Sequence, residues 1–188
     1  MCPRISVAVL WMASLVSFPG PAGAAGVKIE LRGGFFSPSD QAFREIYGGG
    51  PAFGADLVLG LTKKLDLWMG GSYFHKKGGL SYTAEETAVK IRSIGWGIRY
   101  RYDRGRLSFY AGGGLNYMQF DEENTIGDVA TSAIGPEARG GMYFRIMGRL
   151  SAGAFLSLTT RRIYPAQYKV NIGGTGGGLC LAYRLGKK

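Results

Sequence analysis

Cysteine is nearly absent from this chain of 188 residues, which has only Cys2 and Cys180. Cys2 stands too early to be a lipoprotein acceptor and is removed with the leader described next. Cys180 is then the sole thiol, so no intramolecular disulfide is possible. Long hydrophobic runs are also missing. The longest, residues 5–16, has twelve residues, where a membrane-spanning helix needs about 20. Arg4 before it and Ala22-Gly23-Ala24 after it give the pattern of a secretory signal peptide over 1–24, with cleavage after Ala24 or Ala25. Pro19 and Pro21 would stop an ordinary core helix here. Acidic residues are few, 13 against 23 basic ones, for a formal charge of +10 that becomes +9 once Arg4 is removed. The basic residues are scattered and no nucleic-acid motif accompanies them, so nucleic acid is not an expected partner.

Glycine is abundant instead, with 32 residues against an average of about 7%. The glycines follow no collagen period and lie among aromatics and aliphatics, which argues against disorder. Alternation then sets the fold class. In "RSIGWGIRYRY" (92–102), Ile94, Trp96, Ile98, Tyr100 and Tyr102 alternate with Ser93, Gly95, Gly97, Arg99 and Arg101. "LSFYAGGGLNY" (107–117) and "RLSAGAFLSLTT" (149–160) repeat the pattern. A period of two describes a strand with two chemically different faces. The same reading covers 27–36, 52–62, 66–75, 137–147 and 170–185, for eight strands in all. Tight turns at 62–66, 103–106 and 147–149 alternate with longer loops at 37–51, 76–88, 121–135 and 162–169. The pattern predicts an all-β fold, an eight-stranded antiparallel up-and-down transmembrane β-barrel over 25–188.

Two barrel types share such alternation. A soluble carrier faces its apolar residues inward, whereas a membrane barrel faces them to lipid. Three features favour the membrane barrel. The polar face is mostly Gly and Ser, a poor coat for solvent but a good filling for a narrow lumen. Phe35, Phe53, Tyr73 and Tyr117 lie near the long loops, and Tyr100, Tyr102, Phe109 and Tyr183 near the tight turns, as two interfacial girdles would. Ten tilted residues also span roughly 25 Å, the height of the apolar band in such barrels.

The run "NIGGTGGGLCLAYRL" (171–185) matches neither G-x-x-x-x-G-K-[ST] nor G-x-G-x-x-G, and it leads into a strand, not a helix. Its glycines serve packing. With the signal peptide, the eight strands and the terminal "GLCLAYRL", the mature chain resembles the small outer-membrane β-barrel proteins of Gram-negative bacteria, the group of outer-membrane proteins A, W and X. Gly178, Tyr183 and Leu185 look like the insertion signal read by the barrel-assembly machinery. Leu185 stands where that signal has an aromatic and is followed by Gly186-Lys187-Lys188. The resemblance implies a monomer in the outer membrane, with tight turns periplasmic and long loops extracellular, in contact with outer-membrane lipid and lipopolysaccharide.

Parity places Lys28, Arg32, Arg99, Arg101, Arg139, Arg145 and Arg184 inside with Glu30, Asp56 and Glu137. Unpaired buried charge is expensive, so the acids are expected to pair with arginines as a polar plug, Glu30 with Arg184. A narrow anion-preferring path is the alternative. In "SPSDQAFREIYGGG" (37–50), Ser37 is the expected cap of a short helix that begins with Pro38 and ends at Gly48. Phe43, Ile46 and Tyr47 would share one helical face, packed on the barrel mouth or acting as a lid for an apolar ligand. The acidic "DEENTIGD" (121–128) lacks calcium-loop spacing. Neither a metal nor a cofactor is expected. The single histidine, His75, lies three residues from Ser72, and residues three apart in a strand face opposite ways, so no base–nucleophile pair forms. The expected function is therefore a non-enzymatic structural or surface-interaction role; the alternative is binding or passage of small apolar or anionic molecules.

Overall fold

The computed structural model describes residues 26–79, 86–123, 129–163 and 170–185. The signal peptide read at 1–24 lies outside them. Eight strands close into a barrel: β1 (Val27–Pro38), β2 (Gly50–Gly60), β3 (Leu65–Gly79), β4 (Glu86–Arg104), β5 (Leu107–Glu123), β6 (Val129–Met147), β7 (Leu150–Thr159) and β10 (Gly174–Leu185). Each pairs antiparallel with its sequence neighbour, and β10 returns to β1 to close the ring. The helix α1 (Gln41–Tyr47) links β1 to β2, and a small hairpin of β8 (Arg162–Ile163) and β9 (Val170–Asn171) links β7 to β10. All eight expected strands are present.

The apolar residues face outward. Ile98 is 53% exposed, Leu181 51% and Leu179 73%, and both sets of girdle aromatics are exposed as well. On β4, Ile94 lies level with Tyr117 of the upper girdle, and Tyr102 is eight residues further on. At about 3.3 Å per residue and a tilt near 40°, that distance is roughly 20 Å along the barrel axis.

Strands β3 to β6 run further toward the loop end than the alternation indicated, up to 19 residues for β4 and β6. Segments expected as loops, 76–79, 86–88, 121–123 and 129–135, are strand. Above the girdle the two faces exchange chemistry. Inside lie Phe74, Val89, Ile91, Met118 and Phe120, all buried. Outside, His75, Lys77 and Arg92 are exposed. The strands thus leave lipid and continue as a water-facing turret with its own apolar core, as a soluble barrel would.

The glycines of β10 lie where β1 comes closest. A side chain on Gly34 would collide with the Gly177 carbonyl, and one on Gly178 with the Gly33 carbonyl. Bare backbone closes this seam, in keeping with the packing role read from the sequence. A lipid-facing wall predicts that Ile98→Arg, midway down the apolar band, lowers the unfolding free energy by about 2–4 kcal/mol. Equilibrium urea unfolding in lipid vesicles measures this; a neutral effect would contradict the assignment.

Candidate functional site

The lumen holds a ladder of ion pairs. At its centre Arg99 Nη2 donates to Glu30 Oε1 at 2.6 Å, while Arg99 Nε lies 3.4 Å from Asp66 Oδ2. Tyr143 donates its hydroxyl to Glu30 at 2.6 Å. The Arg99 guanidinium also lies 4.4 Å from the Tyr110 ring centroid, and Tyr110 stacks on Tyr143 at 5.0 Å. Toward the turns, Arg101 meets Asp66 at 3.0 Å and Asp103 at 3.2 Å, and Lys28 is 3.8 Å from Asp66. Toward the loops, Asp56 takes Arg32 at 2.7 Å and Arg139 at 3.0 Å. Arg139 also pairs with Glu137, which accepts from Asn116 Nδ2 at 2.6 Å. The face of Trp68, 1% exposed, lies 3.8 Å from the Arg139 guanidinium. Gly70 makes room for this rung, because a side chain there would collide with the Asp56 carboxylate.

Above the ladder α1 closes the mouth. Asp40 caps the helix, its Oδ1 accepting from Phe43 N at 3.2 Å, and its Oδ2 accepts from Asn171 N at 3.3 Å. The cap expected at Ser37 is thus displaced, because Ser37 and Pro38 still pair with β10 as the end of β1. Gly48 ends the helix as expected, with φ of 64°. Phe43 and Tyr47 are buried against Phe74, Val89, Ile91 and Phe120, and Ile46 packs beside them. The Tyr47 hydroxyl lies 2.8 Å from Thr87 Oγ1 and donates to Glu122 at 2.7 Å. Burial pushes this phenol well above its ordinary range, so it remains a donor at physiological pH.

Seven of the nine charged residues proposed for the lumen meet in this ladder: Glu30, Arg32, Asp56, Arg99, Arg101, Glu137 and Arg139. Arg145 and Arg184 do not; both are exposed at the turn end. The expected Glu30–Arg184 contact is corrected by the register, which sets Ala182 opposite Glu30 and Lys28 opposite Arg184. Glu30 reaches across the lumen to Arg99 instead. Asp66, Tyr143 and Asn116 join the ladder beyond the residues expected there; Asp66 stands where the expected turn at 62–66 meets the expected strand at 66–75. Its parity with Trp68 and Gly70 was the available signal.

Arg161 is a further buried residue of the upper lumen; its Nε donates to the Asn116 carbonyl at 3.1 Å. Ser72 faces inward and shares a 2.7 Å hydrogen bond with Ser93, while His75 faces out, exposed. Asp121 of the acidic segment pairs with Arg92 at 2.6 Å, and residues 124–128 lie outside the described ones. Among the described residues no three His, Cys, Asp or Glu side chains gather into a metal-binding group.

No family model and no curated protein matches the chain. Solved structures do. The outer membrane protein OprG of Pseudomonas aeruginosa superposes with a TM-score of 0.67 at 14% identity, over 88% of this chain and 98% of that one. Neisserial surface protein A gives 0.62 at 16% identity, over 87% and 99%. Ail, the attachment invasion locus protein of Yersinia pestis, gives 0.53 at 14%, over 87% and 99%. The fold is that of the small Gram-negative outer-membrane barrels. At these identities the likeness is one of fold.

The ladder predicts a strong response when one partner is removed. Arg99→Met leaves Glu30 and Asp66 short of a cation in the dry centre, lowering the unfolding free energy in vesicles by about 3–5 kcal/mol. Adding Glu30→Gln recovers part of the loss, because the uncompensated carboxylate is gone. Equal stability of Arg99→Met and wild type would show that the ladder contributes nothing.

Proposed function

We infer that the chain is a non-enzymatic, monomeric outer-membrane barrel whose closed interior holds the fold and whose turret is its interaction surface. One observation carries this reading. Four lumen carboxylates, Glu30, Asp56, Asp66 and Glu137, are cross-linked to five cations from the surrounding wall. With α1 seated above them on an apolar core, neither an ion nor a greasy solute has a ready route through.

The turret suits contact with the outer leaflet. Exposed His75 and Lys77 stand just above Tyr73 of the girdle on the outer face, and Arg92, paired with Asp121, lies level with it. Lysine and arginine at that height attract the phosphates of lipopolysaccharide. In this orientation the tight turns face the periplasm, and residues 1–24 direct export before the assembly machinery reads the last strand. The names of Neisserial surface protein A and of the attachment invasion locus protein are in keeping with a surface role. The separation of Ser72 and His75 onto opposite faces supports the non-enzymatic reading.

Single-channel recording on the purified barrel in planar bilayers tests the closed interior. Wild-type protein is expected to give no steady conductance. Sustained, anion-selective steps would overturn the plug and favour passage.

A further inference from the structure

We propose that the turn end of the barrel is an anion site for phosphoryl groups, seated in a vestibule ringed by Lys28, Arg106, Arg145, Arg149 and Arg184. The vestibule is bounded by β1, β5, β6, β7 and β10, with buried Tyr143 at its inner end. It holds about 460 Å³, counting its open mouth. Its lining has five cations and no carboxylate.

The barrel's own pairing forces these cations together. Lys28 and Arg184 are directly opposed across the β1–β10 seam. Arg184 N donates to the Arg149 carbonyl at 3.0 Å, and Arg145 N donates to the Arg106 carbonyl at 2.9 Å. Like charges directly opposed across a ladder are destabilising. Higher in the lumen Arg32, Arg99, Arg101 and Arg139 each pair with a carboxylate. Here, among the described residues, only Lys28 has a carboxylate in reach, Asp66 at 3.8 Å, and Asp66 is already shared with Arg99 and Arg101. The four arginines are exposed and make no ion pair among the described residues. A vestibule that repels itself when empty favours a ligand that reverses the repulsion.

The chemistry selects the ligand class. A single carboxylate offsets one cation, whereas a phosphoryl oxyanion of higher charge offsets several and matches the arginine fork in pairs of oxygens. Such a group could come from a soluble phosphate ester or from the headgroup of an anionic phospholipid in the facing leaflet. The site does not depend on the orientation inferred above; in that orientation it opens to the periplasm.

Titration of inorganic pyrophosphate into the barrel in zwitterionic nanodiscs, followed by calorimetry at low salt, tests the site. Wild type is expected to bind, and more weakly as salt rises. Arg145→Gln and Arg184→Gln should each weaken binding about tenfold. Arg44→Gln, which removes an equal charge from the exposed side of α1 at the opposite end, should leave it unchanged. If Arg145→Gln fails to fold, as judged by its far-ultraviolet spectrum, Arg149→Gln in the turn takes its place. Repeating the titration in nanodiscs containing phosphatidylglycerol identifies the source. Weaker pyrophosphate binding by wild type there marks a lipid headgroup as competitor, and unchanged binding marks a soluble ligand. No binding by wild type, or equal losses in Arg44→Gln and Arg145→Gln, would overturn the site.

Discussion

Charge withdrawn from water inside a narrow tube has to be matched there, and the rest of this structure is arranged around that requirement. An eight-stranded barrel encloses only enough room for its own side chains. Arg99 is the hub, touching Glu30, Asp66 and Tyr143 and lying over Tyr110. Arginine suits this position because its planar fork serves several acceptors while its face lies on an aromatic ring. The bare backbone at Gly70 belongs to the same arrangement, since any side chain there would displace Asp56 from Arg32 and Arg139.

The second constraint is a change of solvent part-way along each strand. Below the upper girdle, lipid lies outside and polar groups fill the centre. Above it, water lies outside and the centre becomes apolar. The pleat does not change: odd-numbered residues of β4 face inward from Thr87 through Arg101. Only the chemistry assigned to each parity changes, between Ile91 and Ser93. The turret therefore needs a lid of its own, and α1 supplies it with Phe43 and Tyr47. Its seven residues would be marginal as a helix in isolation. Packing and the Asp40 cap hold it in place.

This exchange also explains how far the sequence could be read. The membrane-facing lengths were legible because lipid and lumen impose opposite chemistries on alternate residues, as Ile94 to Tyr102 illustrates. The turret extensions were not. In "TAVKIRSIGW" (87–96) apolar residues shift from odd to even positions, and a parity shift looks like the end of a strand. Membership of the charge ladder was legible from parity for Glu30, Asp56 and Arg99. Partners were not, because the Glu30–Arg99 contact crosses the lumen between strands that do not pair. The ends of the ladder failed for another reason. Arg145 and Arg184 have the right parity but lie too near the rim, and depth along the axis depends on the stagger of the closed ring.

Which face of the wall meets lipid decides the rest of the structure, and two tryptophans on opposite faces report on it. Trp96 is exposed on the outer face, whereas Trp68 is buried inside. In vesicles of brominated lipid, tryptophan emission from the barrel lacking residues 1–24 should be strongly quenched. Trp96→Phe, leaving Trp68 alone, should remove nearly all of that quenching. Emission from Trp68 as sensitive to bromine as that from Trp96, or a wild-type barrel insensitive to it, would contradict the lipid-facing apolar wall.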